Sequence, residues 1–400
     1  MQLKRLIAQP HLTYCTNIHA GESWDEVSQS LNIFVPPIRD AVADGAPMGI
    51  GLRLSGQAAF SLHEPSVLQA FQAQLKSLKA YVFTLNAFPY GTFHGVPVKQ
   101  DVYAPDWTHA ERVRYTLACI DILTALLPEG VNGSISTVPM GFRHAADTTE
   151  AMDAVVSHLL QCVAHLVRTQ AQTGKHIALA LEPEPACYLE TTQEAAQFIL
   201  THVRSDKAIA QLAQMLGGSS EQALQALTAH LGVCFDVCHS AVEFEDPALA
   251  LNELRQAGIA IPKIQLSSAV RISQMTAAQL PTVQAFDDAV YLHQVVVENA
   301  GQLTRFVDLP EAVAAFHDGQ AQGEWRVHCH VPVFLQDAGA ISTTQAQLLQ
   351  TLEACKREGF SSHLEVETYT WDVLPAALKT DSKAQAIARE LLFVKKVLMA

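Results

Sequence analysis

Short apolar segments alternate with amphipathic helical segments along the whole 400-residue chain, and this alternation allows few folds. The helical pattern is clear in residues 111–128, 152–170, 246–258 and 383–400, where apolar side chains recur every three or four positions. Strands joined by helices in this order form a parallel sheet, and eight such repeats close a (β/α)8 or TIM barrel. The predicted strands are residues 12–18, 49–54, 80–85, 133–138, 176–181, 232–237, 263–267, 325–333 and 363–368.

Nine predicted strands are one too many for such a barrel. Segment 325–333 is the predicted extra strand, because about 60 residues separate it from the strand before it. We therefore expect one α/β barrel domain over residues 1–400 with an extra strand and long βα loops at the carboxyl ends of the strands. The expected additions are a helical insertion at 186–231 after the fifth strand and long loops over the mouth at 88–107 and 270–335.

Composition excludes several classes of protein. The chain has 40 acidic and 26 basic residues and a formal charge of −14, so a basic surface for nucleic acid is not expected. No apolar run approaches the roughly 18 residues of a membrane span, and the N-terminal residues lack a signal peptide's apolar stretch. Eight scattered cysteines without a Cys-x-x-Cys pair predict reduced thiols in a cytoplasmic protein.

Polar side chains with ligand chemistry follow the last four predicted barrel strands. Catalytic groups of a (β/α)8 barrel lie at these strand ends. In "LEPEP" both glutamates precede a proline, which ends the strand and keeps the residue before it extended, so Glu182 and Glu184 point alike. The side chains concerned are Glu182, Glu184, Asp236, His239, Gln265, Arg271, Glu365 and Glu367.

Several carboxylates in one barrel mouth need a counter-charge, because burying each one alone costs several kcal/mol. A divalent cation supplies that charge. Four oxygen ligands suit Mg²⁺ or Mn²⁺, with Zn²⁺ or Co²⁺ as alternatives. A single strand-end glutamate is more often a helix cap or a surface partner, but the joint pattern favours one metal ion. The expected ligands are Glu182, Asp236, Gln265 and Glu367, with Glu184 and Glu365 as alternatives.

These strand ends resemble the xylose isomerase-like TIM barrel superfamily, whose isomerases and epimerases carry "LEP" and "FD-x-x-H" segments after the fifth and sixth strands. The resemblance implies metal ligands at Glu182, Asp236, Gln265 and Glu367. It implies substrate contacts from His239 and Arg271. Glu182 and Glu367 would be the catalytic pair that moves a proton off and onto a carbon through an enediolate.

A closer resemblance is to the metabolite traffic protein EboE family. Blocks such as "TLNAFPYGTFHG" (84–95), "HCHVPVF" (328–334) and "LEVETYTWDVLP" (364–375) are similar to that family and span most of the chain. The resemblance implies a role in a secondary-metabolite pathway. It also implies possible partners among proteins of the same gene cluster, which encodes a prenyltransferase-like membrane protein and a sugar-phosphate-cyclase-like protein.

The endonuclease branch of the superfamily uses several histidines for three zinc ions, and Gln265 replaces one of them here. His328 and His330 share a strand face and offer either a second metal site or a pair of substrate contacts. Two alternatives to an isomerase therefore stay open. One is a metal-dependent phosphoester hydrolase, and the other is a non-catalytic metabolite-binding protein.

The predicted substrate is a small polyhydroxylated carbonyl compound, a sugar or cyclitol that is possibly phosphorylated. Arg143 and Lys99 are the residues expected to bind such a phosphate. The aromatic loop 88–107 is expected to exclude water from the site. The remaining candidate substrate contacts are Glu184, His328, His330, Glu365, Asn86, His94 and Trp107.

Overall fold

The computed structural model describes residues 1–339, 341–379 and 381–400. Within them, eight parallel strands form one sheet in the order β1-β14-β7-β6-β5-β4-β3-β2. The predicted (β/α)8 barrel is therefore confirmed. Its strands are β1 (His11–Tyr14), β2 (Met48–Arg53), β3 (Ala80–Asn86), β4 (Gly133–Thr137), β5 (Ile177–Leu181), β6 (Leu231–Asp236), β7 (Ala260–Leu266) and β14 (His363–Val366).

The barrel closes between β1 and β2 by an unusual seam. One parallel bridge joins Cys15 to Gly51, and threonine side chains complete the pairing. Thr13 Oγ1 donates to the carbonyl of Gly49 at 2.7 Å and accepts from the amide of Gly51 at 3.1 Å. Thr16 Oγ1 accepts from the amide of Arg53 at 2.8 Å. These bonds satisfy backbone groups that a short first strand would otherwise leave unpaired.

Helices connect the strands and cover the outside of the barrel. In the helix predicted at 246–258, residues at its two ends determine where it begins and ends. Asp246 caps the helix by accepting from the amide of Leu249 at 2.9 Å, Pro247 opens it, and Gly258 follows its end at φ +64°. The α-helices of the described residues are α1 (Trp24–Val42), α2 (Gly56–Leu62), α3 (Pro65–Leu78), α4 (Ala110–Leu126), α5 (Thr149–Thr173), α6 (Thr192–Phe198), α7 (Asp206–Leu216), α8 (Ser220–His230), α9 (Val237–Val242), α10 (Pro247–Gln256), α11 (Leu280–Gln284), α12 (Leu309–His317), α13 (Gln345–Glu358) and α14 (Lys383–Met399).

The connection after β7 forms a second sheet, where the sequence predicted long loops and one extra strand. This sheet is antiparallel, with the order β10-β9-β11-β8-β13-β12. The predicted strand 325–333 is too long: it is β11, which ends at Val327, and residues 328–331 are irregular. The six strands are β8 (Val270–Ile272), β9 (Val295–Asn299), β10 (Gln302–Phe306), β11 (Glu324–Val327), β12 (Asp337–Ala338) and β13 (Ile341–Thr343).

Two further sequence predictions concern the thiols and the membrane. All eight cysteines are free and buried, as the absence of paired spacing indicated. None of the helices in the described part of the chain combines the length and apolarity needed to cross a bilayer.

Glu390 of α14, a helix on the outside of the barrel, forms hydrogen bonds to the segment after β11 and to the segment after β14. Its carboxylate accepts from the amide of Val333 at 3.0 Å and from Thr368 Oγ1 at 2.7 Å. The side chain is buried. Burial raises the pKa of Glu390 from an ordinary 4.5 to about 7.

This buried carboxyl predicts a pH effect on stability. Between pH 4.5 and 7 the folded protein keeps the Glu390 proton that the unfolded chain releases. The free energy of unfolding therefore falls as pH rises through this window. Glu390→Gln should remove up to about 3 kcal/mol of that decrease. Urea denaturation at pH 5 and pH 8 measures it, with exposed Glu353→Gln as the control; an unchanged pH dependence in Glu390→Gln would contradict the prediction.

Candidate active site

Three buried carboxylates meet at the carboxyl ends of the barrel strands. Glu182 follows β5, Asp236 ends β6 and Glu367 follows β14. One oxygen atom from each lies within 4.8 Å of the others. All three side chains are at most 3% exposed. Three strand-end groups that are far apart in the sequence therefore form one acidic centre, which we call the carboxylate triad.

Neighbouring donors fix two of the three carboxylates. Glu367 Oε1 accepts from the amide groups of Asn17 at 2.7 Å and Asn86 at 3.2 Å. Asp236 Oδ1 accepts from the backbone amide of His239 at 2.9 Å and from Ser267 Oγ at 2.8 Å. The second oxygen of Asp236 is left free of this network, so each carboxylate is held in place without using all of its acceptor capacity.

The triad lacks enough positive charge within the protein. Burial, followed by repulsion from Asp236, raises the pKa of Glu182 to about 8. Burial and the charge of Glu182 raise the pKa of Glu367 well above its ordinary value. The pKa of Asp236 is lowered: burial works to raise it, but His239, His330 and the hydrogen bonds to Oδ1 outweigh that cost. At neutral pH this arrangement needs protons or a bound cation.

Buried polar atoms without hydrogen-bond partners indicate whether the site around the triad suits a cation. Among the described residues none forms a hydrogen bond with Glu182 Oε2, Asp236 Oδ2 or either polar atom of the Gln265 amide, although all are buried. Gln265 is paired in register with Asp236 on one side and with Glu365 on the other. Buried oxygens left without donors are the atoms that a hard divalent cation uses. The residues of the triad therefore fit a metal ion.

Three histidines lie beside the triad with their rings fixed in one orientation. Nδ1 of His239 donates to the carbonyl of Pro183 and Nδ1 of His330 to that of Glu367, both at 2.9 Å. Nδ1 of His328 donates to Gln294 Oε1 at 2.7 Å. The hydrogen on Nδ1 leaves Nε2 as the acceptor in each neutral ring. Nε2 of His328 lies only 3.3 Å from Nε2 of His330, so two lone pairs face each other.

Glu184 lies next to these histidines and outside the triad. Its Oε1 accepts from the Tyr103 hydroxyl at 2.7 Å and lies 3.7 Å from Nδ1 of His328. Gln294 donates to the Tyr103 oxygen at 2.9 Å. Burial is the main cause that raises the pKa of Glu184. The two glutamates of "LEPEP" thus line one cavity but have different neighbours.

Next to Glu182 and Glu367 of the triad lies a cavity that opens at the barrel mouth. Strand ends supply its polar floor, and its walls come from the loop after β3, the segments that precede β9 and follow β11, and the segment after β14. The residues that line it are Asn17, Asn86, Phe88, Pro89, Phe93, Val98, Lys99, Val102, Tyr103, Glu182, Glu184, His239, Tyr291, Leu292, His328, Glu367 and Tyr369.

Several sequence-predicted residues do not line this cavity. The Glu365 carboxylate lies deeper in the barrel, 2.5 Å from Nζ of Lys263. Arg271 is on β8, where it pairs with Glu324 at 2.6 Å. Trp107 is completely buried and donates to the carbonyl of Val138 at 3.2 Å. The ring of His94 makes an edge-to-face contact with Phe93, which lines the cavity in its place.

Some of the remaining predicted residues line the cavity and others do not. Asn86, Glu184, His239 and His328 line the cavity. His330 is buried behind His328. Lys99 lines the cavity, whereas Arg143 is exposed elsewhere. The sequence analysis did not predict Asn17 as a site residue, although its position just after the first strand could have indicated it. It also did not predict Tyr103, Tyr291 and Tyr369, which lie outside the barrel strands in segments without a periodic pattern.

Comparison with known proteins agrees with the fold. A xylose isomerase-like TIM barrel protein from Mycobacterium smegmatis, solved in complex with magnesium, is similar with a TM-score of 0.51 and 10% identity, over 97% of this chain and 96% of that one. A D-tagatose 3-epimerase-like protein has a TM-score of 0.48 and 13% identity, over 98% and 100% of the two chains. The IolI protein with a bound zinc atom has a TM-score of 0.46 and 13% identity, over 97% and 98%.

The fold is that of the xylose isomerase-like TIM barrel proteins. No protein-family model and no curated protein matches the chain. The resemblance to the EboE family therefore stays a sequence-based prediction.

Proposed function

We propose that this protein is a metal-dependent isomerase or epimerase of a small polyhydroxylated carbonyl compound, a sugar or cyclitol. The observation that carries the proposal is the carboxylate triad, of which Glu182 and Glu367 line an open cavity, with buried oxygens of Glu182 and Asp236 left without hydrogen-bond partners among the described residues. Magnesium in the solved Mycobacterium smegmatis protein of similar fold is consistent with it.

The proposed ligands of one divalent ion, Mg²⁺, Mn²⁺, Zn²⁺ or Co²⁺, are Glu182, Asp236, Gln265 and Glu367. A cation bound there would supply Lewis-acid stabilisation of negative charge on neighbouring substrate oxygens. Glu182 and Glu367 are the proposed catalytic residues, because both border the cavity and both resist ionisation in the buried site. One would accept a proton from the carbon next to the carbonyl group, and the other would return a proton to it.

Neighbouring side chains would orient the substrate and the catalytic groups. Asn17 and Asn86 hold one oxygen of Glu367, which leaves its other oxygen to face the cavity. Nε2 of His239 is free to accept a hydrogen bond from a substrate hydroxyl, because Nδ1 is engaged by Pro183. Glu184, fixed by Tyr103, would accept a second hydroxyl hydrogen bond. The position of these groups relative to one another would select the reacting carbon.

Deuterium exchange tests the proposal whichever product the reaction forms. The Mn²⁺-loaded protein is incubated in D₂O with a panel of ketoses, aldoses and inososes. We expect one substrate to gain a single deuterium on the carbon next to its carbonyl group, as seen by NMR and mass spectrometry. The same protein stripped by a chelator should lose the exchange and regain it when Mn²⁺ is restored.

The controls separate catalysis from general damage to the fold. Glu353 is an exposed residue of α13, so Glu353→Gln should exchange deuterium as the wild type does. Exchange that persists fully after metal removal would contradict a metal-dependent mechanism. Tight binding of a panel member without any exchange would favour the competing role of a non-catalytic metabolite-binding protein.

A second candidate function is a metal-dependent phosphoester hydrolase. The facing Nε2 atoms of His328 and His330 favour it, because a second cation would relieve the contact of two lone pairs. Cys238, Glu184 and Asp236 each have a ligand atom close to two of the three histidines. Elemental analysis decides between the functions. One ion per chain, unaffected by His328→Gln, supports the isomerase; two ions, one of them lost in His328→Gln, support the hydrolase.

The setting we propose for this activity is a cytoplasmic metabolite traffic pathway. The blocks similar to the EboE family support it, as does an open cavity lined by both polar and apolar side chains. Proteins of the same gene cluster are the proposed partners. Co-purification of the full chain with those proteins tests this setting independently of the deuterium exchange.

A further inference from the structure

We infer that the substrate is an uncharged polyhydroxylated compound carrying an apolar group, such as an aryl substituent, and that it is not a phosphorylated sugar. The inference deepens the proposed function and rests on it for the position of the polar end. The observations that carry it are the composition of the cavity wall and the contacts that engage the nearby lysine and arginine side chains.

One wall of the cavity is aromatic and aliphatic. Phe93, Tyr291 and Tyr369 form a cluster with ring centroids 5.1 to 5.4 Å apart. Val98 packs against them and lines the cavity as well. A free sugar exposes hydroxyl groups on most of its edge, and this wall would leave many of them without partners. An apolar substituent would instead bury its surface there.

Lys99 is the one lysine or arginine among the described residues that line the cavity. Its Nζ donates to the carbonyls of Asp288 at 3.0 Å and Tyr291 at 2.7 Å and to Asp308 Oδ2 at 2.8 Å. An ammonium group has three donors, so all are used. Lys99 ties the loop after β3 to the segment before β9, and it has no donor left for a phosphate.

Arginines near the mouth are also engaged with protein groups. Arg53 pairs with Glu22 at 2.9 Å and donates to the carbonyl of Gly91 at 2.9 Å. Arg112 is completely buried and donates to the carbonyls of Ala87 and Phe88, each at 3.0 Å. Both guanidinium groups therefore hold the backbone of the loop after β3, and neither residue lines the cavity.

The floor is unfavourable for an anion as well. The carboxylates of Glu182, Glu367 and Glu184 all line the cavity. A phosphate placed here would lie beside these carboxylates without a free Lys or Arg donor, which costs affinity.

Calorimetric titration of the Mn²⁺-loaded full chain tests this inference with four probes. These are phenyl β-D-glucopyranoside, methyl β-D-glucopyranoside, D-glucose and D-glucose 6-phosphate. We expect the phenyl glucoside to bind at least about 10-fold more tightly than the methyl glucoside. We expect glucose 6-phosphate to bind no more tightly than glucose. Tyr291→Ala should remove most of the phenyl preference, whereas Tyr291→Phe should keep it because the ring remains.

Circular dichroism and metal content establish that the Tyr291→Ala protein is folded, and Phe93→Leu provides a second wall variant if it is not. Three results would overturn the inference: tighter binding of the phosphate, equal binding or no binding of the two glucosides, or a phenyl preference that survives both wall variants. These readouts measure affinity and require no turnover. If the protein prefers the phenyl glucoside but exchanges deuterium on no carbonyl compound, the proposed isomerase activity is wrong, whereas the inferred class of ligand still holds.

Discussion

Glu367→Gln is expected to abolish deuterium exchange and to weaken metal binding. The amide keeps the size of the side chain and the oxygen that accepts from Asn17 and Asn86. It removes one negative charge from the carboxylate triad and a group that can carry a proton. We expect metal affinity to fall at least about 10-fold and the exchange rate at least about 100-fold.

Competition with a chelating dye measures the metal affinity of Glu367→Gln, and NMR in D₂O measures its exchange rate. Glu353→Gln is the matched control, since it makes the same chemical change on the exposed surface of α13. If Glu367→Gln retained wild-type metal affinity and wild-type exchange, the assignment of Glu367 as ligand and catalytic residue would be wrong.

Lys263→Met is expected to destabilise the barrel by about 3–5 kcal/mol. Lys263 and Glu365 are both completely buried inside the barrel, and their charged atoms are 2.5 Å apart. Removal of the lysine leaves an unpaired carboxylate in the interior. Gly51 makes room for that carboxylate, since a Cβ at this position would collide with it. The side chain therefore has little freedom to move away.

Urea denaturation measures the free energy of unfolding of the Lys263 variant. The double variant Lys263→Met, Glu365→Leu is the informative control, because two apolar side chains leave no unpaired charge. It should recover most of the lost stability. A single variant within about 1 kcal/mol of the wild type would show that the ion pair does not need its cation.

Local patterns explain why most of the barrel could be predicted. The helix at 246–258 carries its own cap, first-turn proline and terminal glycine, and the strands are short apolar runs. The clustering of Glu182, Asp236 and Glu367 also followed from the sequence, because parallel strands bring their carboxyl ends to one edge. Because catalytic groups of a barrel lie at the carboxyl ends of its strands, the sequence positions of these three residues were enough to predict that they cluster.

Contacts between distant segments explain what could not be predicted. Arg271 sits six residues after Gln265 but lies on a strand of the second sheet, where Glu324 pairs with it. The choice between Glu365 and Glu367 depends on Lys263, whose side chain reaches across the barrel interior. Trp107 looks like a stacking surface in an aromatic loop, yet its indole is part of the core. None of these contacts has a periodic signal.

The second sheet lies within one connection of the chain, between β7 and α13. The segment that precedes its strand β9 contributes Tyr291 and Leu292 to the cavity wall, whereas all three triad carboxylates come from the barrel itself. Ligand preference can therefore diverge by insertion, deletion or replacement within residues 268–327, which include neither Ser267 nor the site histidines, while the reactive centre is inherited unchanged. A transplant of this segment between homologous barrels would exchange substrate range and preserve the chemistry.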